Sequence, residues 1–287
     1  MNWKQSTASI ITCVVLAAST FGQTLANPFF AMDTGTRDVT HKTPEEQVAM
    51  VKEIGFAGVG PICHGTNDLQ QWFAALDKVG LKMFALYVPL KLDAVEASIT
   101  SLKEVVAALH GRDTMLWLYV MDKGHKPSAT DDDDAAVKAL RDIAGMAREA
   151  GLRVAMYPHT GLYVARVEDA ARLAGMAGYK NLGVTFNLCH WLKVDGKDLD
   201  ATLKAAQPFL FCVTINGADA DGKDWKALIQ PLDQGTYDVS LLLRRLAKMG
   251  YTGPIGLQHY GIKGDAHDNL KHSMDGWKKL SAAATKE

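Results

Sequence analysis

Four clusters of polar side chains carry residue types that could do acid–base chemistry. Each cluster stands at the end of a short apolar run, and the four are Tyr157–His159, Asn187–His190, Thr214–Gly217 and Gln258–Tyr260. Histidine exchanges protons near neutral pH, and tyrosine hydroxyls and amides hold the oxygens of carbonyl and hydroxyl groups. The clusters contain almost no carboxylate. Their composition therefore favours a site for a hydroxylated small molecule.

The elements that must position these clusters alternate between apolar runs and helix-patterned stretches. The predicted strands are 29–34, 56–62, 82–90, 115–121, 153–157, 182–186, 209–215 and 255–258. The predicted helices are 44–54, 68–79, 94–109, 133–150, 167–177, 199–206, 239–249 and 265–280. Eight such units predict an α/β fold of the (β/α)8 TIM barrel type in a single domain, in which the strand ends converge on one mouth. An open doubly wound sheet is the alternative. No glycine-rich phosphate loop follows the first run, so we expect no nucleotide cofactor.

The first 26 residues differ from the rest of the chain. Lys4 is their only charge, 10–18 is apolar and too short to span a bilayer, and Thr24–Ala26 offers a small-residue cleavage pattern. We interpret 1–26 as a signal peptide and 27–287 as the barrel domain, which predicts a periplasmic or secreted protein without stable membrane association after cleavage. A disordered or membrane-tethering N-terminus is the alternative.

Composition narrows the choice of partners. The formal net charge of −1 and the absence of a basic stripe argue against nucleic acid. Three widely spaced cysteines beyond the leader do not form a disulfide framework. A Cys189–His190 catalytic pair is disfavoured, because neighbours on a strand point to opposite faces. We expect a small-molecule carbohydrate partner, and the sequence leaves the oligomeric state open.

The second half of the chain resembles a known family. Four segments carry most of the resemblance, and they are Arg153–His159, Phe186–His190, Asn216–Asp219 and Gly250–Gln258. They are similar to the fifth to eighth strand ends of the xylose isomerase-like TIM barrel superfamily of sugar phosphate isomerases and epimerases, whose fold endonuclease IV-like enzymes share. In that family, strand-end carboxylates and a histidine hold divalent ions that polarise a carbonyl and hydroxyl pair.

This chain departs from the family pattern at most of the expected metal ligands. Tyr157 and Gln258 stand for glutamates, Asn187 for an aspartate and Asn216 for a histidine, whereas His190 and Asp219 keep their types. The tentative metal ligands are His190, Asn187, Asn216 and Gln258. Neutral amides hold divalent cations poorly. The resemblance thus implies a divalent metal, Mn, Mg or Zn, and the substitutions predict a degenerate metal site.

The remaining assignments concern catalysis and substrate binding. His159 and His190 are the candidate acid–base residues, and Tyr157 is a candidate proton donor. The predicted substrate-binding residues are Asn187, Asn216, Gln258, Asp219, Trp191 and Lys123. Asp33 is a further candidate base, and an Asp122–Lys123 pair a further charged group. Among the aromatic residues, Trp191 and Tyr260 are expected to contact the sugar, whereas Trp225 is expected to serve packing. In the family, a glycine-bearing loop matching 228–238 lies beside the substrate, which brings Asp233 and Gln234 near the site.

The resemblance and the polar clusters together imply a sugar isomerase/epimerase-like enzyme. It would act on a carbohydrate or keto-sugar by abstracting a proton next to a carbonyl. Two alternatives stay open. One is a non-catalytic carbohydrate-binding barrel that has lost the metal site, and the other is a lyase on oxidised sugars.

Overall fold

The computed structural model describes residues 25–285, so residues 1–24 of the predicted signal peptide lie outside the described part of the chain. Nine parallel strands form one sheet in the order β3-β2-β1-β9-β8-β7-β6-β5-β4. They are β1 Phe29–Met32, β2 Gly58–Gly60, β3 Lys82–Met83, β4 Ala85–Lys91, β5 Met115–Met121, β6 Arg153–Met156, β7 Leu182–Asn187, β8 Leu210–Ile215 and β9 Ile255–Leu257.

Strands β3 and β4 are two parts of the single strand predicted at 82–90. The break falls at Phe84, whose backbone N–H bonds to the Val59 carbonyl beside β2. An isolated parallel bridge between Ile62 and Tyr87 then joins β4 to the chain that follows β2. The ring therefore closes as eight strand positions, and the prediction of a single-domain (β/α)8 barrel is confirmed.

The helices surround the ring in chain order. They are α1 Pro44–Ile54, α2 Thr66–Val79, α3 Val95–Leu109, α4 Asp133–Glu149, α5 Val167–Ala177, α6 Leu188–Lys193, α7 Leu199–Ala206, α8 Trp225–Leu228, α9 Val239–Lys248 and α10 Ala266–Ala283. The short helices α6 and α8 are absent from the sequence prediction. Within residues 25–285, no helix combines the length and the apolarity that a membrane crossing requires.

Glycines in the left-handed conformation end several of these helices. Gly55 and Gly80 cap α1 and α2 with φ angles of 99° and 67°. Glycine adopts this conformation without the steric cost that a Cβ imposes, so each helix stops and the chain turns into the next strand. The repeated joint sets a common level for the strand starts.

Two apolar layers hold the barrel together. The larger lies between the sheet and the helices, and the smaller fills the inside of the ring around Phe30, Met115, Trp117 and Tyr157. An added Cβ at Gly60 or Gly256 would lie 2.8 or 2.6 Å from the Phe30 ring. Phe30 thus packs where two strands offer no side chain. The interior is filled, which leaves room for a ligand only at the mouth.

Candidate active site

A cavity of about 310 Å³ opens at the carboxyl ends of the strands. Its volume lies at the lower end of the range of roughly 300–1,000 Å³ that is usual for small-molecule sites. Its wall combines carboxylate, imidazole, phenol and amide groups with apolar side chains. The lining residues are Met32, Asp33, Thr34, Gly60, Ile62, Tyr87, Tyr157, His159, His190, Trp225, Ile229, Gln258 and Tyr260.

Asp33 is the one carboxylate in this wall. It follows β1 directly, in the 3-10 turn Asp33–Gly35, and its Oδ2 accepts the Ile62 backbone N–H at 2.7 Å. Its Oδ1 is buried without a hydrogen-bond partner among the described residues. Burial raises the pKa of Asp33 to about 6, despite the hydrogen bond from Ile62 that lowers it. A carboxyl with this pKa populates both protonation states near neutral pH, as a proton-transfer residue requires.

The His159 and His190 rings contact each other at a tilt of 42°, with ring centroids 4.1 Å apart, and their hydrogen-bond partners fix opposite tautomers. His159 Nδ1 lies 3.0 Å from the Thr160 carbonyl oxygen, which can only accept, so Nδ1 carries the proton and Nε2 is the acceptor. His190 Nδ1 receives the Thr160 backbone N–H at 3.2 Å, so its proton resides on Nε2. At the ring nitrogens that remain free, His159 Nε2 can therefore accept a proton, and the Nε2–H of neutral His190 can donate a hydrogen bond.

Burial keeps both imidazoles uncharged. It lowers the pKa of His159, and it lowers the pKa of His190 well below the ordinary value of 6.5, with the neighbouring His159 acting in the same direction. The prediction that His159 or His190 could serve as the base is thus narrowed to His159. In this tautomer His190 has no free lone pair.

Tyr157 and Gln258 form a second hydrogen-bonded unit beneath the histidines. Gln258 Oε1 accepts hydrogen bonds from the Thr34 hydroxyl at 2.9 Å and from the Tyr260 backbone N–H at 3.0 Å. Its Nε2 therefore faces Tyr157 and donates to the Tyr157 hydroxyl oxygen at 3.3 Å. The Tyr157 proton is therefore left to donate to a ligand. Because burial raises the pKa of Tyr157 well above 10, the hydroxyl stays protonated.

The barrel topology sets Asp33 and His159 on opposite sides of the cavity. Counting β3 and β4 as one strand position, β6 lies four positions from β1 in either direction. Asp33 follows β1, and His159 follows β6 with Tyr157 before it. A planar ligand held in the cavity would thus have Asp33 on one side and His159 on the other.

Five of the six predicted substrate-binding residues, all except Gln258, lie outside this cavity wall. Asn187 is buried beside Tyr157, and its Oδ1 accepts the Cys189 thiol at 3.2 Å. Asn216 Nδ2 donates to the Gly217 and Leu228 carbonyls, so it holds a loop together. Asp219 Oδ1 accepts the Thr236 N–H. Within the side chains of Asn187, Asn216 and Asp219, the Asn187 Nδ2 and Asn216 Oδ1 atoms are buried without a hydrogen-bond partner among the described residues.

The aromatic residues exchange roles relative to the prediction. Trp191 is buried on α6, where its Nε1 donates to Thr202 at 3.1 Å and its ring packs on Phe186 and Tyr237, so it serves packing. Trp225, which was expected to pack, lies in the cavity wall with its ring edge-on to His190 at 5.2 Å. The reversal has one cause. The residues after β7 form α6, on which Trp191 is buried, and part of the loop before α9 forms α8, whose Trp225 lies in the cavity wall.

Several other residues with ionisable side chains lie outside the cavity wall. Lys123 is exposed outside the cavity wall, and Asp122 pairs with His125 at 2.8 Å, so the Asp122–Lys123 pair does not form. Asp233 pairs with His272 at 2.6 Å. His259 is buried against Ser273.

The strand geometry from which we predicted that Cys189 and His190 form no catalytic pair is wrong, but other features disfavour the pair. Both residues lie on α6 rather than on a strand, and the thiol donates to Asn187. Burial raises the pKa of Cys189 to about 12, so it is no nucleophile.

The comparisons with known proteins agree with this architecture. The family model described as xylose isomerase-like TIM barrel matches residues 48–280. The chain belongs to this family. None of the curated proteins matches it.

Solved structures with the same fold include two named epimerases. The chain shares 14% identity and a TM-score of 0.71 with apo 3-keto-D-glucoside 4-epimerase from E. coli, over 88% of this chain and 99% of that one. It shares 13% identity and a TM-score of 0.73 with D-allulose 3-epimerase from Methylomonas sp. in complex with D-allulose, over 90% and 99%. It shares 15% identity and a TM-score of 0.69 with a xylose isomerase-like TIM barrel protein from Mycobacterium smegmatis in complex with magnesium, over 90% of this chain and 98% of that one.

The tentative metal ligands of this chain do not fit a divalent ion. Asn187 Oδ1 accepts the Cys189 thiol, Gln258 Oε1 already accepts two hydrogen bonds, and the Nδ1 lone pair of His190 is taken by Thr160. Asn216 Oδ1 has no partner among the described residues, but Asn216 lies outside the cavity wall. Among the described residues, two other groups offer closely spaced ligand atoms, Asp122–His125–Asp132 and Asp265–His267–Asp268, and both lie outside the cavity wall. We therefore derive no step through a metal at the cavity.

Proposed function

We propose that this chain is an enzyme that isomerises or epimerises a keto-sugar by moving a proton at the carbon next to the carbonyl. The observation that carries the proposal is the protonation pattern of the cavity. Asp33 and His159 are proton-transfer groups on opposite sides, and neutral donors, Tyr157 and His190, lie beside His159. An enolisation needs both kinds of group at once.

The step balances with these groups alone. The His159 Nε2 lone pair takes the proton from the carbon, while the Asp33 carboxyl on the opposite side begins the step protonated. The electron pair of that C–H bond becomes a carbon–carbon π bond, and the carbonyl oxygen takes the negative charge. The Tyr157 O–H and the His190 Nε2–H donate hydrogen bonds to this oxygen. Asp33 then gives its proton to the other face of the carbon, which inverts the carbon, restores the carbonyl and leaves Asp33 ionised and His159 protonated.

Two further findings support a sugar as substrate. The epimerases with similar folds carry the names of keto-sugars, and one of them was solved with D-allulose bound. The cavity of this chain combines stacked aromatic rings, Tyr87 on Tyr119 at 4.3 Å and at an edge to Tyr157, with amide and hydroxyl groups. Sugars present both apolar C–H faces and hydroxyl edges, so this mixture suits them.

The test is turnover of a panel of keto-sugars by the purified protein. The panel contains D-fructose, D-allulose, D-tagatose, D-sorbose and a 3-keto-glucoside, with products separated by chromatography. We expect inversion of at least one sugar, and Asp33→Asn and His159→Gln should each lower its rate by about 10²–10⁴-fold. The matched controls are Asp142→Asn, exposed on α4, and His110→Gln, exposed directly after α3, and neither residue lines the cavity.

The same assay separates the alternatives. A lyase on oxidised sugars would release an unsaturated product from the 3-keto-glucoside. A carbohydrate-binding barrel without catalysis would bind sugars and leave every member of the panel unchanged, which would contradict the proposal.

We also propose that the protein is exported, as the apolar leader at 1–26 predicts. N-terminal sequencing of the protein from a periplasmic extract should begin near Asn27. Recovery of the chain with its leader in the cytoplasm would contradict export.

A further inference from the structure

A second and larger cavity adjoins the site. It has a volume of about 780 Å³, against about 310 Å³ for the site itself. The two share three wall residues, Trp225, Ile229 and Tyr260, so they meet along one edge. We call them the inner and the outer cavity. A ligand whose reacting part occupies the inner cavity can therefore extend past these shared residues into the outer one.

The far wall of the outer cavity is held by close backbone contacts. Gly217 and Gln230 form an antiparallel bridge, with both N–H···O distances at 2.8–3.0 Å. A Cβ at Gly217 would lie 2.0 Å from the Pro231 carbonyl oxygen. Gly235, with φ of +89°, would place a Cβ 2.1 Å from the Ala218 carbonyl oxygen. These approaches require glycine, so the wall is a formed surface rather than a loose loop.

The polar groups of the outer cavity are balanced in charge and partly free. It is lined by two carboxylates, Asp219 and Asp224, and by two ammonium groups, Lys226 and Lys263. The carboxylates bond backbone N–H groups, those of Thr236 and Ala227. The side chains of Lys226, Lys263 and Gln234 have no partner within residues 25–285, so they can donate to a ligand.

Two aromatic rings at the shared edge are unusually exposed. Trp225 is 36% and Tyr260 61% exposed, and they are two of only four large hydrophobic residues exposed in the described chain. Exposed aromatic rings in a cavity commonly contact a ligand. A simple anion would favour an excess of positive charge, and a lipid would favour an apolar wall. Ring faces beside free amide and ammonium donors match a sugar ring.

We infer that the outer cavity binds a second sugar unit, so that the substrate is a disaccharide or a glycoside with a sugar-like aglycone rather than a free monosaccharide. This inference rests on the proposed function, because the first unit must occupy the inner cavity. Trp225 and Tyr260 would contact both units at the glycosidic link, and Gln234 and Lys263 would donate to the hydroxyls of the second unit alone.

Calorimetric titration of the mature protein with unoxidised sugars tests the inference without turnover. The probes are D-glucose, methyl β-D-glucoside, cellobiose, maltose and sucrose. We expect at least one disaccharide to bind about tenfold more tightly than D-glucose, the gain that two hydrogen bonds give. The double variant Gln234→Ala/Lys263→Ala should remove that gain and leave the affinity for D-glucose unchanged. Arg141→Ala/Lys138→Ala, on the distant surface of α4, serves as the matched control.

Each other result decides against the inference. If D-glucose binds and no disaccharide binds more tightly, or if the gain survives in the double variant, the outer cavity is no sugar subsite. If no sugar binds at all, this inference fails, while the turnover of the keto-sugar panel decides on the proposed function separately. The two assays together therefore distinguish the two failures.

Discussion

The buried carboxyl of Asp33 predicts an unusual dependence of stability on pH. The pKa of this group is about 6 in the folded protein and 3.8 when it is unperturbed, so the folded state binds the proton more tightly than the unfolded state. The contribution of Asp33 to stability is therefore fully present below pH 3.8 and is lost as the pH rises through 6. This is the reverse of the usual behaviour of a carboxylate in an ion pair.

The magnitude follows from the two pKa values. Between pH 4.5 and 7, ionisation of Asp33 lowers the free energy of unfolding by about 2 kcal/mol. Asp33→Asn removes this titration and keeps an oxygen for the Ile62 N–H. The amide group it places at the unpartnered Oδ1 position has a cost of its own, but that cost does not change with pH. The difference in stability between Asp33→Asn and the unchanged protein should thus move in favour of the variant by about 2 kcal/mol over this range.

Urea unfolding at half-unit steps from pH 4.5 to 7 measures this difference directly. Asp142→Asn is the control, because Asp142 is exposed on α4 and its effect should be independent of pH. A stability difference between Asp33→Asn and the unchanged protein that stays constant within about 0.5 kcal/mol would refute the assignment of a buried, raised carboxyl. The role of Asp33 in proton transfer would then lose its physical basis.

Three more predictions follow from other parts of the chain. Tyr157→Phe removes the donor to the carbonyl oxygen and should lower kcat by about 10²–10³-fold while sugar affinity changes only a few-fold, as steady-state kinetics can show. Burial lowers the pKa of His259 to about 4, so the stability that this residue contributes is fully present above pH 6.5, and about 3 kcal/mol of it is lost as the pH falls from 7 to 4. In urea unfolding, His259→Gln should therefore reduce the dependence of the free energy of unfolding on pH over this range. An unchanged pH dependence would contradict the prediction. Gly183→Ala would bring a Cβ to 2.4 Å from the Phe209 carbonyl oxygen and should lower the melting temperature by several degrees, whereas Gly145→Ala, with its nearest neighbour at 3.8 Å, should not.

Much of the fold follows from local rules. Continuous apolar runs with glycine-ended helices between them predict a parallel barrel, because each rule acts over a few residues. The structure confirms that architecture, with element ends shifted by one to three residues. The strand break at Phe84 and the short helices α6 and α8 depend on contacts with distant segments. A single sequence does not contain them as a pattern.

The candidate site was predictable in position and less so in composition. Strand-end residues such as Tyr157, His159, His190 and Gln258 line the cavity because topology brings all strand ends together. The exchange of Trp191 for Trp225 depends on which way two short helices turn. Asp33 could have been weighted more strongly, since it directly follows a wholly apolar strand and precedes a glycine turn, a position that it shares with Asp122 after β5. The burial of Asp33 and its free oxygen are tertiary properties.

Deuterium incorporation tests the central claim, that this cavity moves a proton at the carbon next to a sugar carbonyl. A keto-sugar that the protein turns over would be incubated with it in D2O, and proton NMR would follow the signal of the inverted carbon. The account predicts a product that carries deuterium at that carbon, with incorporation lost in Asp33→Asn and His159→Gln and kept in Asp142→Asn. A product that retains its original hydrogen at the inverted carbon would contradict the account.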